Sequence, residues 1–204
     1  RSTPTITAAG PGNANERGGR MTVGRFALAA HLGRVLADRQ WTVATAESCT
    51  AGLLSKRLTD VPGASRYFDR GFVTYTNEAK AELLGVSEAD LAAQGAVSAA
   101  VAAQMAHGAW HRAGVDLGVA ITGVAGPDGG SAEKPVGTVF VALSSSEGET
   151  VRRFHFAGTR ATIRERTVQV ALDLMRRTLL GLTLDPRIEE EPGKSSRPTP
   201  RGAA

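Results

Sequence analysis

The chain is short of several things, and each shortage excludes a class of protein. Its 204 residues contain one cysteine, Cys49, so no internal disulfide can form, and its four histidines are scattered without the spacing of a zinc-type ligand set. A reducing cytoplasm is expected, with no metal and no cofactor. No stretch approaches the roughly 18 consecutive apolar residues that a membrane span needs. The opening RSTPTITAAGPGNANERGGR also lacks the apolar centre of a signal peptide. No membrane partner is expected. Aromatic residues make up 5% of the chain, too few for rows of base-stacking platforms.

A pI near 9.7 invites a nucleic-acid reading, so the location of the charge matters. Arg1, Arg17 and Arg20 against Glu16 leave residues 1–21 at +2. Arg187, Lys194, Arg197 and Arg201 against Glu189, Glu190 and Glu191 leave residues 186–204 at +1, so only +1 of the total +4 belongs to residues 22–185. The basicity sits mostly in the tails, and nucleic acid is not an expected partner of the core.

What remains is ordinary for a globular protein: 42% hydrophobic and 22% charged residues. Both tails, 1–21 and 186–204, are poor in large apolar side chains and are expected to be disordered. A single domain is expected at 22–185. Leu28, Leu32, Val35 and Leu36 recur at helical spacing before the β-prone run WTVATA at 41–46. After Ser48, CTAGLLSKRLTDV reads as a helix stopped by Pro62 and Gly63, and GFVTY at 71–75 as a second strand. Three helical pieces follow, NEAKAELL, SEADLAAQ with Ser87 as N-cap, and a longer one opening at Ser98. The apolar run VDLGVAIT at 115–122 suits a buried central strand. Strands at 136–143 and 150–157, joined by the polar SSSEGE, suit an antiparallel hairpin, and 160–181 an amphipathic closing helix. Met105 and Trp110 lie at helical spacing and read as packing residues. The alternation of elements predicts an α/β fold, a three-layer α/β/α sandwich around a mixed sheet.

Three constellations carry chemistry. AESCT at 46–50 lies where a strand ends, the position at which such sheets bind ligands. Ser48 there suits either a helix cap or a nucleophile beside unpaired N–H groups around Cys49 and Thr50. Cys49 is a second candidate nucleophile, although no histidine falls in an evident site loop to serve as its base. YTNEAK at 75–80 sets Tyr75, Asn77, Glu78 and Lys80 within six residues. Lys80 is either a solvated helix-surface lysine or, if buried, a base for a nearby serine, with Tyr75 able to relay a proton. TGVAGPDGGSAEKP at 122–135 places four glycines after a buried strand, where backbone N–H groups can approach an anion and Lys134 can add charge. It matches neither the Walker order nor a dinucleotide fingerprint.

Taken together, TAESCTAGLLSKRLTDVPGASRYFDRGFVTYTNEAK, GVSEADLAAQGAVS and ITGVAGPDGGSAEKPVGTVFVAL resemble the CinA C-terminal (competence-damage-inducible) family from about residue 24 to 182. The chain resembles in particular its stand-alone nicotinamide-nucleotide amidases. The resemblance implies hydrolysis of nicotinamide mononucleotide to nicotinate mononucleotide and ammonia, in pyridine nucleotide salvage. Carried over by position, it implies Ser48 as nucleophile, Lys80 as base and Tyr75 as a third catalytic residue. It also implies substrate contacts from Asn77, Thr122, Gly123, Ala125 and Gly126, to which Glu47 beside Ser48, the N–H groups of Cys49 and Thr50 and the charge of Lys134 are added as expected substrate contacts. Many members have glycine at the position of Ala51 and serine at that of Thr76, and neither change removes a reactive group. Some members carry an extra N-terminal pyrophosphatase domain, an activity not expected here. The partner implied is a small nucleotide, and a homodimer is the expected assembly. The alternatives kept open are a nucleic-acid- or protein-binding module linked to competence or DNA damage, and an amidase of another small molecule.

The lack of a ligand cluster makes one expectation immediate. Deamidation of nicotinamide mononucleotide should proceed undiminished in EDTA, and activity lost to the chelator and restored by zinc or magnesium would contradict it.

Overall fold

The strand that organises the domain is Val43–Glu47 (β1), buried at all five positions because helices cover both faces of the sheet beneath it. The computed structural model describes residues 19–183. Within them, helix α1 (Gly19–Asp38) leads into β1, followed by α2 (Leu53–Thr59), a 3₁₀ turn at Ala64–Arg66 and β2 (Phe68–Val73). Helices α3 (Asn77–Leu84), α4 (Glu88–Gln94) and α5 (Ala99–Ala113) come next, then β3 (Leu117–Gly123), β4 (Thr138–Ser145), β5 (Gly148–His155) and α6 (Arg160–Leu179). The sheet order is β2-β1-β3-β4-β5, with β1 parallel to β2 and β3, and the β3–β4 and β4–β5 pairs antiparallel. This is the mixed-sheet α/β architecture the alternation of elements implied.

The two faces are packed differently. Val43, Leu117, Val119, Ile121, Val139 and Val141 meet Leu32 and Leu36 of α1, Leu54 and Leu58 of α2, and Val168, Leu172 and Met175 of α6. On the other face Ala44, Ala46, Ala120 and Ala142 meet Ala102, Met105, Ala106 and Ala109 of α5. Small side chains on both partners let α5 lie close to the sheet. At Gly118 an added Cβ would stand 2.2 Å from the Ala106 carbonyl oxygen.

Several boundaries differ from the sequence reading. The helix expected from Cys49 begins at Leu53, because Ala51 (φ 49°) and Gly52 (φ 88°) take left-handed backbone that breaks any earlier start. Gly71, read as the opening of the second strand, lies inside it. Ser55 of α2 crosses there, and a Cβ on residue 71 would come within 2.5 Å of the Ser55 hydroxyl. The hairpin closes through Ser146 and Glu147 alone, since polar residues do not end an edge strand that can keep its ladder bonds. Ser87 and Ser98 do cap α4 and α5, accepting from the Asp90 and Val101 N–H groups. Residues 19–21, assigned to the N-terminal tail, open α1. The remainder of both tails lies outside the described residues.

Glu47 ties the sheet to α2. Although wholly buried, its carboxylate accepts from Leu54 N at 3.0 Å, Ser55 N at 2.8 Å and Ser55 Oγ at 2.7 Å. A negative charge at a helix start whose own cap, Gly52, offers no side chain satisfies donors that would otherwise be buried unpaired. Glu47→Gln keeps the shape and removes the charge, so it should lower stability by about 1.5–3 kcal/mol, the worth of a charged hydrogen bond. Denaturant melts should show a lower midpoint at an unchanged slope. An unshifted midpoint would mean the carboxylate is dispensable.

Candidate active site

Because β1, β2 and β3 are parallel, the chain leaves all three at the same edge of the sheet. Ser48, the 74–76 segment and the loop from residue 124 therefore converge there. The two reversals through β4 and β5 bring the start of α6 to the same edge. The Ser48 N–H continues the ladder by donating to Ile121 O at 3.0 Å, which fixes the residue in line with the central strand.

Lys80 faces it. Its Nζ lies 3.2 Å from Ser48 Oγ and is also within reach of the carbonyl oxygens of Thr74 (2.9 Å), Tyr75 (3.2 Å) and Thr76 (3.3 Å). The side chain is 1% exposed and Ser48 is 8% exposed. Thr76 caps α3 by accepting from Ala79 N, so the helix starts where the 74–76 carbonyls can wrap the amine of its own fourth residue. Burial lowers the Lys80 pKa, with the Glu78 carboxylate acting the other way. Four oxygens surround a nitrogen that has only three tetrahedral positions besides its carbon. A neutral amine can donate to two carbonyls and accept the Ser48 proton on its lone pair.

The other candidates fall into place around this pair. Tyr75 is 55% exposed, with its hydroxyl accepting from Arg160 Nη2 at 3.1 Å. Arg160 also donates to Gly126 O at 2.9 Å, so one guanidinium bridges the Tyr75 and glycine-rich loops. Asn77 is exposed in the first turn of α3. Ala125 is buried beneath the loop, and Gly123 packs so closely on the start of β4 that a Cβ would meet Thr138 O at 2.8 Å. Thr122 Oγ1 donates to Ala96 O, and Lys134 Nζ donates to Gln94 O at the end of α4. These two polar groups are engaged with the 94–96 segment. Glu47, counted among the substrate contacts, has its carboxylate turned to α2 instead. Successive residues of a strand point to opposite faces, and Thr45 and Glu47 both bond Ser55 of α2.

Ser48 does not cap a helix: that place is taken by Gly52. The turn between them is closed by Ala51 N donating to Ser48 O and Leu53 N donating to Thr50 O. Among the described residues, neither Cys49 N–H nor Thr50 N–H donates to a backbone acceptor outside a helix or strand ladder. The pair of open donors anticipated at a helix start thus lies in the turn before it.

Arg160 and Arg164 were absent from the sequence reading. Both lie in the first two turns of α6, where the helix dipole disfavours cations, and no acid occupies the first turn to offset them. Arginines at that unfavourable place were the available signal.

This is an α/β protein in which a serine at the end of a central parallel strand is paired with a buried lysine. Residues 25–179 match the family described as CinA C-terminal domain. A CinA-like protein of Geobacter sulfurreducens is 56% identical over 149 residues, 73% of this chain and 36% of that protein. A putative competence-damage inducible protein of Acetivibrio thermocellus is 54% identical, again over 73% of this chain and 36% of its own length. The chain thus spans little more than a third of these curated relatives. Among solved structures, the competence/damage inducible protein CihA from Agrobacterium tumefaciens aligns with a TM-score of 0.74 at 44% identity, covering 76% of this chain and 95% of that one. A CinA superfamily protein from Klebsiella pneumoniae gives 0.75 at 34%, covering 77% and 98%. The chain belongs to the CinA C-terminal domain family.

Cys49 sits in the core at 5% exposure, and burial pushes its thiol from 9.0 up to about 12. At pH 8 the thiolate should therefore be scarce, and iodoacetamide should label the native protein far more slowly than the protein in guanidinium. Between pH 9 and 12 the unfolded chain releases a proton that the folded chain keeps, so this group should make stability fall as pH rises. Rapid labelling of the native protein would contradict both statements.

Proposed function

We propose that the protein is a nicotinamide-nucleotide amidase in which Ser48 is the nucleophile and Lys80 its base. The observation that carries this reading is the buried Lys80 amine 3.2 Å from Ser48 Oγ. A solvated helix-surface lysine has no reason to be there, whereas a base must be held in hydrogen-bond reach of the proton it takes.

In the first half of the reaction Ser48 Oγ attacks the carboxamide carbon as its proton passes to Lys80. The C=O electron pair moves to the oxygen, and the Cys49 and Thr50 N–H groups are the donors suited to receive that oxyanion. As the tetrahedral intermediate collapses, Lys80 returns its proton to the amide nitrogen, the C–N bond breaks, and ammonia leaves an acyl ester on Ser48. Water then attacks the ester, giving a proton to Lys80 that is passed back to Ser48 Oγ as the carboxylic acid departs. Arg160 uses two of its five donors on Tyr75 and Gly126. Its charge beside the loop suits the substrate phosphate. Pyridine nucleotide salvage is the process this reaction would serve.

Ammonia release from nicotinamide mononucleotide, compared with its riboside, nicotinamide and glutamine, tests the substrate, and the nucleotide should be much the best. Ser48→Ala and Lys80→Met should each cost at least about 10²–10⁴ in turnover, the range of a positioned base. Lys80→Arg should fail equally, because arginine cannot give up its proton near neutral pH. With the wild type, kcat/KM should rise with pH through the lowered Lys80 pKa and then level, since only the neutral amine is a base. An active Lys80→Arg would restrict Lys80 to holding substrate.

A further inference from the structure

Two adjacent residues of α6 reach the segment that carries Ser48. Glu165 receives both of its hydrogen bonds to α2 from Arg57 Nη2, at 2.9 and 3.1 Å, holding the helix behind the turn. Arg164 Nη2 donates to Thr50 O at 2.6 Å, inside the turn itself.

The turn needs holding. Ala51 has φ 49°, a left-handed backbone that a residue with a Cβ keeps only where its surroundings over-determine it. The Thr50–Ala51 peptide is planar, and both of its ends are engaged: its C=O accepts from Arg164, and its N–H donates to Ser48 O at 3.1 Å. Fixing that plane leaves the torsions on either side little freedom. The neighbouring Cys49 and Thr50 N–H groups then stay beside Ser48. Thr50 offers no alternative anchor, since its hydroxyl is buried without a partner. Arg164 holds this bond while its own Nε lies buried and unpartnered, and while its charge sits in the N-terminal half of a helix. A surface arginine serving only solubility would be released from both penalties by turning outward.

We propose that Arg164 is a positioning residue: by clamping the Thr50–Ala51 peptide it holds the strained turn in which the Cys49 and Thr50 N–H groups meet the developing oxyanion. The role rests on the amidase reading for its catalytic consequence, but the clamp itself is a property of the fold. It acts through the turn, so its loss should change turnover and leave substrate binding alone.

The experiment compares wild type, Arg164→Met and Arg164→Lys, and Arg164→Met combined with Ala51→Gly. Two readouts are taken: kcat and KM for ammonia release from nicotinamide mononucleotide across pH, and hydrogen exchange of the peptide spanning residues 47–54. Arg164→Met should lower kcat about ten- to a hundredfold, the worth of one charge-assisted hydrogen bond. KM should stay within about twofold and the pH at which the rate rises should not move, while the 47–54 peptide exchanges faster. Arg164→Lys, which retains a cationic donor, should recover part of the loss. Ala51→Gly should recover about fivefold in the Met background, because glycine takes the left-handed backbone without strain. A raised KM with kcat preserved would make Arg164 a substrate ligand, and unchanged kinetics with unchanged exchange would remove the clamp. If the wild type releases no ammonia from the nucleotide, the amidase reading fails, yet unchanged exchange in Arg164→Met would still overturn the clamp separately. If the Met variant does not fold, the Lys variant carries the same comparison, with wild-type exchange in a catalytically impaired protein counting against the proposal.

Discussion

The amine of Lys80, taken out of water and set against Ser48, is the constraint around which the rest of the domain makes sense. A lysine with almost no exposure must either keep its charge with a full set of acceptors or give up a proton. Three carbonyls from its own chain, at residues 74, 75 and 76, crowd it together with Ser48 Oγ, one oxygen more than its three directions besides the carbon, so a neutral amine donates to two carbonyls and turns its lone pair to Ser48. Those carbonyls are placed by the short passage from β2 into α3. Ser48 is placed by the central strand β1, so the pair depends on the parallel β1–β2 register. The sheet therefore sets the Ser48–Lys80 pairing as well as supporting the domain.

Around that pair, charged groups are used to hold backbone. Glu47 fastens the start of α2 to β1, Arg160 joins the Tyr75 and Gly126 loops, and Arg164 takes the Thr50 carbonyl. Each acts on a segment that leaves the sheet at the same edge, where ladder bonds have ended and the backbone needs other partners. A short turn with left-handed residues at Ala51 and Gly52, rather than a continuous helix, is what places open N–H groups next to Ser48.

Much of this was legible in the sequence, for physical reasons that differ between elements. VDLGVAIT is a strand because no other element buries such a short apolar run on both sides, and Ser87 and Ser98 cap helices because serine competes locally for the first N–H groups. Gly71 misled because glycine signals a boundary by its freedom, whereas here it is required by the approach of Ser55. Local sequence made Ser48 and Lys80 candidates with ordinary alternatives, a cap and a solvated lysine, and only the resemblance favoured catalysis. Taken alone, 32 residues of separation say nothing about proximity, and a lysine in a helix is ordinarily solvated. Glu47 was read into the site because it adjoins Ser48 in sequence, but the alternation of a strand sends neighbouring side chains to opposite faces. Arg164 signalled itself only by its place early in a helix, since its partner is a backbone carbonyl 114 residues away.

The central claim is the protonation state of Lys80, and it can be read without substrate. With only four lysines in the chain, Lys56, Lys80, Lys134 and Lys194, ε-carbon-labelled lysine gives a simple NMR spectrum, and the Lys80 resonance is identified by its loss in Lys80→Met. The account predicts that this resonance titrates below the ordinary lysine value of about 10.4, because burial penalises the ammonium. A Lys80 that titrates at or above that value would be a permanent cation, and could not be the base for Ser48.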